Sequence, residues 1–132
     1  GAAAMGARGG ARVAAVEAAR VSAAALAANA APLEGQLHVV RAPVETYLKR
    51  CGRLSGATVI VDPPRTGLSR EVVTRLARRR PRRIVYVSCD VATQARDLRA
   101  LRSSGYRLGE VRAFDMLPNT PHVETVVALD RA

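Results

Sequence analysis

Several common devices of protein chemistry are scarce in this chain of 132 residues. Its two cysteines, Cys51 and Cys89, sit in dissimilar contexts and match neither a disulfide framework nor a paired-thiol metal site. That suits a reducing compartment, so an intracellular, cytoplasmic protein is expected. No run is long and apolar enough to span a bilayer. The opening "GAAAMGARGGARVAAVEAAR" is Ala-rich and Arg-bearing but lacks the compact apolar segment of a secretory signal. Internal repeats and linker-like tracts are absent. Lysine is almost absent too: Lys49 is the only one among 21 basic residues, which stand against 11 acidic ones for a net charge of +10. The excess is therefore arginine, which forks onto phosphates and stacks on bases, and a polyanion such as nucleic acid is the expected partner. Ala- and Arg-rich GC-biased coding would give the same balance. The densest run, "RLARRRPRR" (Arg75 to Arg83), reads as a helix end and turn with a solvated face.

What is present is enough apolar residue, 48%, for one domain with a core. A chain of this length buries roughly two-thirds of its unfolded surface. Short apolar runs alternate with helical segments, the pattern of an α/β fold with a mainly parallel sheet. "RVAAVE" (Arg12 to Glu17) reads as a strand, and "AARVSAAALAANAA" as a helix stopping near Asn29 and Pro32. "QLHVV" (Gln36 to Val40) is a strand and "PVETYLKRC" a short helix with Pro43 near its start. Ala57 to Val61 is apolar on both faces, as a central parallel strand should be, and Asp62 with Pro63 and Pro64 ends it. Ser69 is placed to cap "REVVTRLARRR", whose Val72, Val73, Leu76 and Ala77 form one stripe, and Pro81 stops it. "RIVYVSC" is a second buried strand. "VATQARDLRALRSSG" is a helix with Ala95, Leu98 and Leu101 inward and Gly105 beyond its end. "YRLGEVRAFDM" and "HVETVVALD" are final strands whose short connection, "LPNTP", makes them antiparallel.

In open α/β sheets, ligands sit outside the carboxyl ends of the parallel strands. Glu17, Asp62 and Cys89 stand at those ends. The strand through Phe114 finishes on the same edge, so the antiparallel strand after it starts there, bringing Glu124 to the rim that holds Cys89. Each residue also has a plain structural reading. Glu17 could be a surface acid before a helix, Asp62 a turn residue, Cys89 a small buried hydrophobe and Glu124 a solvated acid. His122 reads as structural and Cys51 as filler.

Together, "VDPPRTGL", "IVYVSCD…ATQARDL", "SGYRL" and "FDMLPNTPHVETV" resemble, in order and spacing, the RNA (uracil-5-)methyltransferases that act on tRNA or rRNA. The resemblance runs from about Arg12 to Leu129 and is densest from Val59 to Val127. It implies a class I methyltransferase fold, a Rossmann-like doubly wound sheet with an antiparallel final hairpin, binding S-adenosyl-L-methionine. Within it Cys89 looks like the nucleophile, Glu124 the proton-abstracting base, and Glu17 and Asp62 cofactor-site residues; no metal is called for. Such an enzyme must flip or unstack its target base. An unperturbed thiol is only a few per cent ionised at neutral pH, so a nearby cation would help, and Arg65 is a candidate.

The chain departs from the family pattern in three places. Asp90-Val91 follows the cysteine where Asn-Pro is frequent, and helix capping is the simplest use of Asp90. "RAPVE" stands where an acid is common, so no role passes to Pro43. The first strand and the Gly-rich loop of such a sheet are not recognisable, the start "GAAAMGARGGA" looking like the helix after them. The expectation is therefore the carboxy-terminal part of a catalytic domain, impaired in isolation, with a gap beside the Ala57 to Val61 strand. Two alternatives stay open: another S-adenosylmethionine-dependent nucleic-acid methyltransferase, directed to an amine or to cytosine, and a non-catalytic RNA-binding remnant.

Overall fold

A computed structural model describes residues 11–33, 35–115 and 123–132. The helix expected at the start of "GAAAMGARGGA", the "LPNTP" turn and His122 lie outside the described residues. The chain divides into two compact units at Arg50/Cys51.

In the first unit, β1 (Val13–Glu17) and β2 (Leu37–Arg41) pair in parallel, Val13 against Leu37 and Glu17 against Arg41. The crossover between them is α1 (Arg20–Ala30), followed by a 3-10 turn over Ala31–Leu33 that carries Pro32. Ala30 and Leu37 are buried, with Val13, Ala15, Leu33 and Val39 packed around them. Helix α2 (Val44–Arg50) follows, with Pro43 just ahead of it, where a missing N–H does no harm, and Glu45 in its first turn and Lys49 and Arg50 in its last, each complementing the helix dipole.

The second unit is a four-stranded mixed sheet in the order β3-β4-β6-β5. Strand β3 (Thr58–Val61) runs parallel to β4 (Arg83–Ser88). Strands β5 (Tyr106–Phe114) and β6 (Glu124–Arg131) are antiparallel to each other, and β6 is antiparallel to β4. The expected final hairpin is therefore present, inserted so that its second strand lies beside β4. Helices α3 (Arg70–Arg79) and α4 (Val91–Ser103) are the connections. Ile84, Tyr86, Leu101 and Leu129 are fully buried at the centre, and Val73, Tyr106 and Val127 close the cluster. Each such aliphatic side chain contributes about 1.5–3 kcal/mol by leaving water.

The described strands fall into two sheets. Among the described residues β3 pairs only with β4, and one of its faces is open, with Thr58 exposed and Ile60 51% exposed, which corrects the expectation that both faces are covered. Leu98 and Leu101 of α4 pack on the core as expected. The residues that α4 buries most completely are Gln94, Asp97 and Leu101. The first two of those buried residues are polar because of what lies beneath them. No helix among the described residues is long and apolar enough to cross a membrane.

Candidate active site at the carboxyl end of the four-stranded sheet

The last registered pair of β4 and β6 is Ser88 with Thr125, and Phe114 of β5 stands against Glu124. Cys89 follows Ser88 and Glu124 precedes Thr125, so each stands one residue beyond that last pair. The antiparallel register thus brings the two half-buried residues to neighbouring places at one end of the sheet, as the topology argument required. Asp62 leaves β3 at this same end, one residue beyond the Val61–Tyr86 pair, with its side chain exposed. Glu17 ends β1 in the other unit. Its Oε1 accepts from the Ala19 N–H at 2.7 Å, so the acid-before-a-helix reading describes one of its oxygens.

The turn that carries Cys89 is held from below. The Ser88 hydroxyl, only 2% exposed, accepts from the Asp90 N–H at 3.0 Å and donates to the Asp90 carbonyl at 2.9 Å, bracketing the cysteine. Asp90 then caps α4, its Oδ1 accepting from the Thr93 N–H at 2.8 Å. That N–H and the Thr93 hydroxyl hold the Asp90 carboxyl below its usual range, with smaller help from the Ala92 N–H and the Arg65 charge against a desolvation that opposes them. The acid beside the cysteine is thus engaged by the helix. Arg65, the candidate cation, acts on Asp90.

A second buried group joins the two strands that bear Cys89 and Glu124. The Thr125 hydroxyl lies 2.7 Å from Gln94 Oε1 and 3.1 Å from the Ser88 carbonyl, and its single proton serves one of them at a time. The Gln94 amide donates to the Tyr86 carbonyl at 3.2 Å. Ser88, Gln94 and Thr125 are all buried, so none of these groups has water as a substitute partner.

A third buried group fixes the loop after β3. Asp97, 3% exposed, accepts at Oδ2 from the Leu68 N–H and from the Tyr86 hydroxyl, both at 2.7 Å, and at Oδ1 from Arg96 Nε at 2.9 Å. Arg96 also donates to the Thr66 carbonyl at 3.0 Å. Burial first, and then the bond to Asp97, push the Tyr86 hydroxyl pKa well up, so it stays a donor. Gly67 adopts φ +76°, and a Cβ there would fall 2.6 Å from Asp97 Oδ2. The glycine in "DPPRTGL" is thus required twice, by backbone conformation and by the carboxylate beside it. The loop that begins with Asp62 is shaped by the helix that begins after Cys89.

Sequence reasoning missed Ser88, Gln94, Asp97 and Thr125. A signal existed: Gln94, Asp97 and Leu101 share one helical stripe, and polar residues in an apolar stripe need buried partners. Among the described residues no group of three or more His, Cys, Asp or Glu side chains is placed to hold a metal.

An α/β arrangement of parallel strands with an antiparallel final hairpin is the fold of the class I methyltransferases. The precorrin-6Y C5,15-methyltransferase of Geobacter metallireducens GS-15 shares it at 14% identity, with a TM-score of 0.68 over 92% of this chain and 67% of that one. The family is narrower. Residues 7–132 match the model of the tRNA (uracil-5-)-methyltransferase family, and the chain belongs to that family. An uncharacterized RNA methyltransferase of Thermotoga maritima is 46% identical over 121 residues, 90% of this chain and 27% of that protein. The tRNA (uracil(54)-C(5))-methyltransferase of Pyrococcus abyssi is 56% identical over 72 residues, 54% of this chain and 17% of that protein. A crystal structure of the Pyrococcus abyssi tRNA (uracil-54, C5)-methyltransferase, in complex with S-adenosyl-L-homocysteine, superposes with a TM-score of 0.80 at 36% identity, covering 93% of this chain and 30% of that one. The chain thus spans about a third or less of these uracil-directed and RNA-directed relatives.

Proposed function

We propose that the protein methylates C5 of a uridine in tRNA or rRNA, with S-adenosyl-L-methionine as methyl donor, through a covalent link between Cys89 and the base. The observation that carries this reading is the register of β4 and β6, whose last pair is Ser88 with Thr125, so that Cys89 and Glu124 each stand one residue beyond it at the same end of the sheet. Family membership supports the substrate class, and because the chain spans so little of its relatives the activity is proposed for the whole protein and not for these residues in isolation. A cytoplasmic location belongs to the same proposal.

Uracil C5 is too weak a nucleophile to take a methyl group unaided. The Cys89 thiolate adds to C6, forming an S–C6 bond and pushing the C5=C6 electrons onto C5 and the O4 carbonyl as an enolate. When bound, S-adenosylmethionine supplies a sulfonium methyl that C5 can take, leaving neutral S-adenosylhomocysteine. Glu124 then removes the C5 proton, the C5=C6 bond re-forms, and the Cys89 sulfur leaves as thiolate. No electrons are gained or lost overall, and the proton ends on the Glu124 carboxylate. The Asp62 carboxylate, exposed at the end of a parallel strand, fits the donor's chemistry as an acceptor for hydroxyl and cationic groups.

The test is transfer of an isotopically labelled methyl group from S-adenosylmethionine to RNA, followed by digestion to nucleosides. Label in 5-methyluridine supports the proposal. Label in a methylated adenosine, guanosine or cytidine instead overturns it in favour of an amine- or cytosine-directed enzyme. RNA binding without transfer overturns it in favour of a binding protein.

A further inference from the structure

The opposite end of the same sheet presents a different chemistry. Strand β5 starts there at Tyr106, β6 finishes there at Arg131, and the two residues are paired. Between the last turns of α4 and the start of β5 lies an open cleft of about 730 Å³, lined by Arg99, Arg102, Ser103, Tyr106, Arg107 and Leu108. All three arginines are exposed, and none of the lining residues is acidic. Arg131 stacks its guanidinium on the Tyr106 ring, 5.3 Å from the centroid, and its buried Nη1 has no hydrogen-bond partner among the described residues. Asp130, the acid next to it in sequence, is already bonded by Arg83 at 2.7 and 2.9 Å.

A second basic groove on α3 is a useful contrast. It is lined by Arg70, Glu71, Thr74, Arg75 and Arg78, and there Glu71 neutralises Arg75 through a 2.6 Å pair. That groove carries one acid among three arginines on a solvated helix face. The cleft beside Tyr106 has no carboxylate in its lining: Arg99 and Arg102 of α4 line it together with Arg107, which faces Asp130 across the strands, and a surplus of guanidinium charge is the arrangement that releases counterions when a phosphate strand enters.

We propose that the cleft of Arg99, Arg102 and Arg107 binds the phosphodiester backbone of the RNA, away from the nucleotide being modified. Glu124 and Arg131 are the first and last residues of β6, so the two sites are about 24 Å apart at roughly 3.4 Å per residue. The cleft therefore senses length: an RNA that reaches it extends well past the base held at Cys89. The inference rests on RNA as the partner proposed above, but not on the chemistry at Cys89.

The experiment compares single-stranded RNA binding over a salt series for the natural protein and two triple variants. One carries Arg99→Gln, Arg102→Gln and Arg107→Gln; the other carries Arg53→Gln, Arg70→Gln and Arg78→Gln, which removes the same charge from exposed positions elsewhere. All six side chains are exposed, so the fold should survive, and circular dichroism checks it. For RNA long enough to span both ends, the cleft variant is expected to lower the slope of log K against log salt by about 2, at roughly 0.7 per phosphate contact. The control variant is expected to change it by less than half as much, and RNA too short to span the strand should show no difference. Equal losses in both variants, or an unchanged slope in the cleft variant, would overturn the proposal. So would binding of the cleft to anionic lipid vesicles but not to RNA. A failed methyl transfer to uridine with the cleft effect intact would sink the catalytic reading and leave this one standing.

Discussion

The two ends of the four-stranded sheet are built by opposite means. At the carboxyl end, buried polar side chains (Ser88, Gln94, Asp97 and Thr125) hold the turns that present Asp62, Cys89 and Glu124. At the amino end, charge lies on the surface, in pairs such as Arg83 with Asp130 whose side chains are 48% and 42% exposed. Buried hydrogen bonds have no water to replace them, so they fix geometry; exposed charges are screened and exchange partners, so they attract without fixing anything. One end fixes the positions of atoms, and the other carries the charge proposed to hold a polyanion.

That contrast can be broken by substitution. The largest expected effect is Glu124→Gln, which keeps the shape and removes the base: turnover should fall about 10²- to 10⁴-fold, and methylated RNA should accumulate still bound to the protein. An unchanged turnover rate would remove Glu124 from the mechanism. Next is Asp97→Ala. It strands the Leu68 N–H and the Tyr86 hydroxyl in a buried place, and urea unfolding should show a loss of about 3 kcal/mol. A loss under about 1 kcal/mol would mean that the loop does not depend on this carboxylate.

Tyr86→Phe tests the same group from the other side. The folded pKa of Tyr86 is raised above its ordinary 10.0, so its contribution to stability is complete below pH 10 and fades as the pH rises beyond it. The variant should be less stable than the natural protein at pH 7, by about 1–3 kcal/mol, and the two stabilities should converge above pH 10. Parallel curves would refute the Tyr86–Asp97 bond. The smallest effect is expected from Arg83→Gln at the amino end. Its urea midpoint at pH 7 should match that of the natural protein, and a large shift there would dissolve the comparison. Asp130 is held low chiefly by Arg83, so the little this pair contributes is present at neutral pH and lost as acid protonates Asp130.

Much of this was legible from residues alone. The apolar runs located the strands, Ser69 and Pro81 bounded α3, and the short connection before Glu124 forced the antiparallel turn-back that brings Glu124 to the end of the sheet that carries Cys89. Capping by Asp90 was also readable, because a helix of good formers begins one residue later. The buried polar network was not. A Gln or Asp on a helix is assigned to solvent by its chemistry, and only the carbonyl of Tyr86, the hydroxyl of Tyr86 and the N–H of Leu68, all distant in sequence, show why Gln94 and Asp97 face inward. The exposure of Ile60 was not legible for a related reason: an apolar β-branched run looks the same whether one or both faces of its strand are covered. The cleft beside Tyr106 depends on bringing the end of α4 against the start of β5, and the composition showed only that arginine was plentiful.

The central claim is that Cys89 bonds to C6 of the uracil. The direct measurement incubates the protein at its natural length with S-adenosylmethionine and RNA containing 5-fluorouridine, then looks for a denaturant-resistant complex by gel and maps it by mass spectrometry. Fluorine at C5 cannot leave as a proton, so the link between sulfur and base persists. The account predicts one methylated adduct, on Cys89, that disappears in Cys89→Ala. An adduct on Cys51, or none from a protein that methylates ordinary RNA, would contradict it.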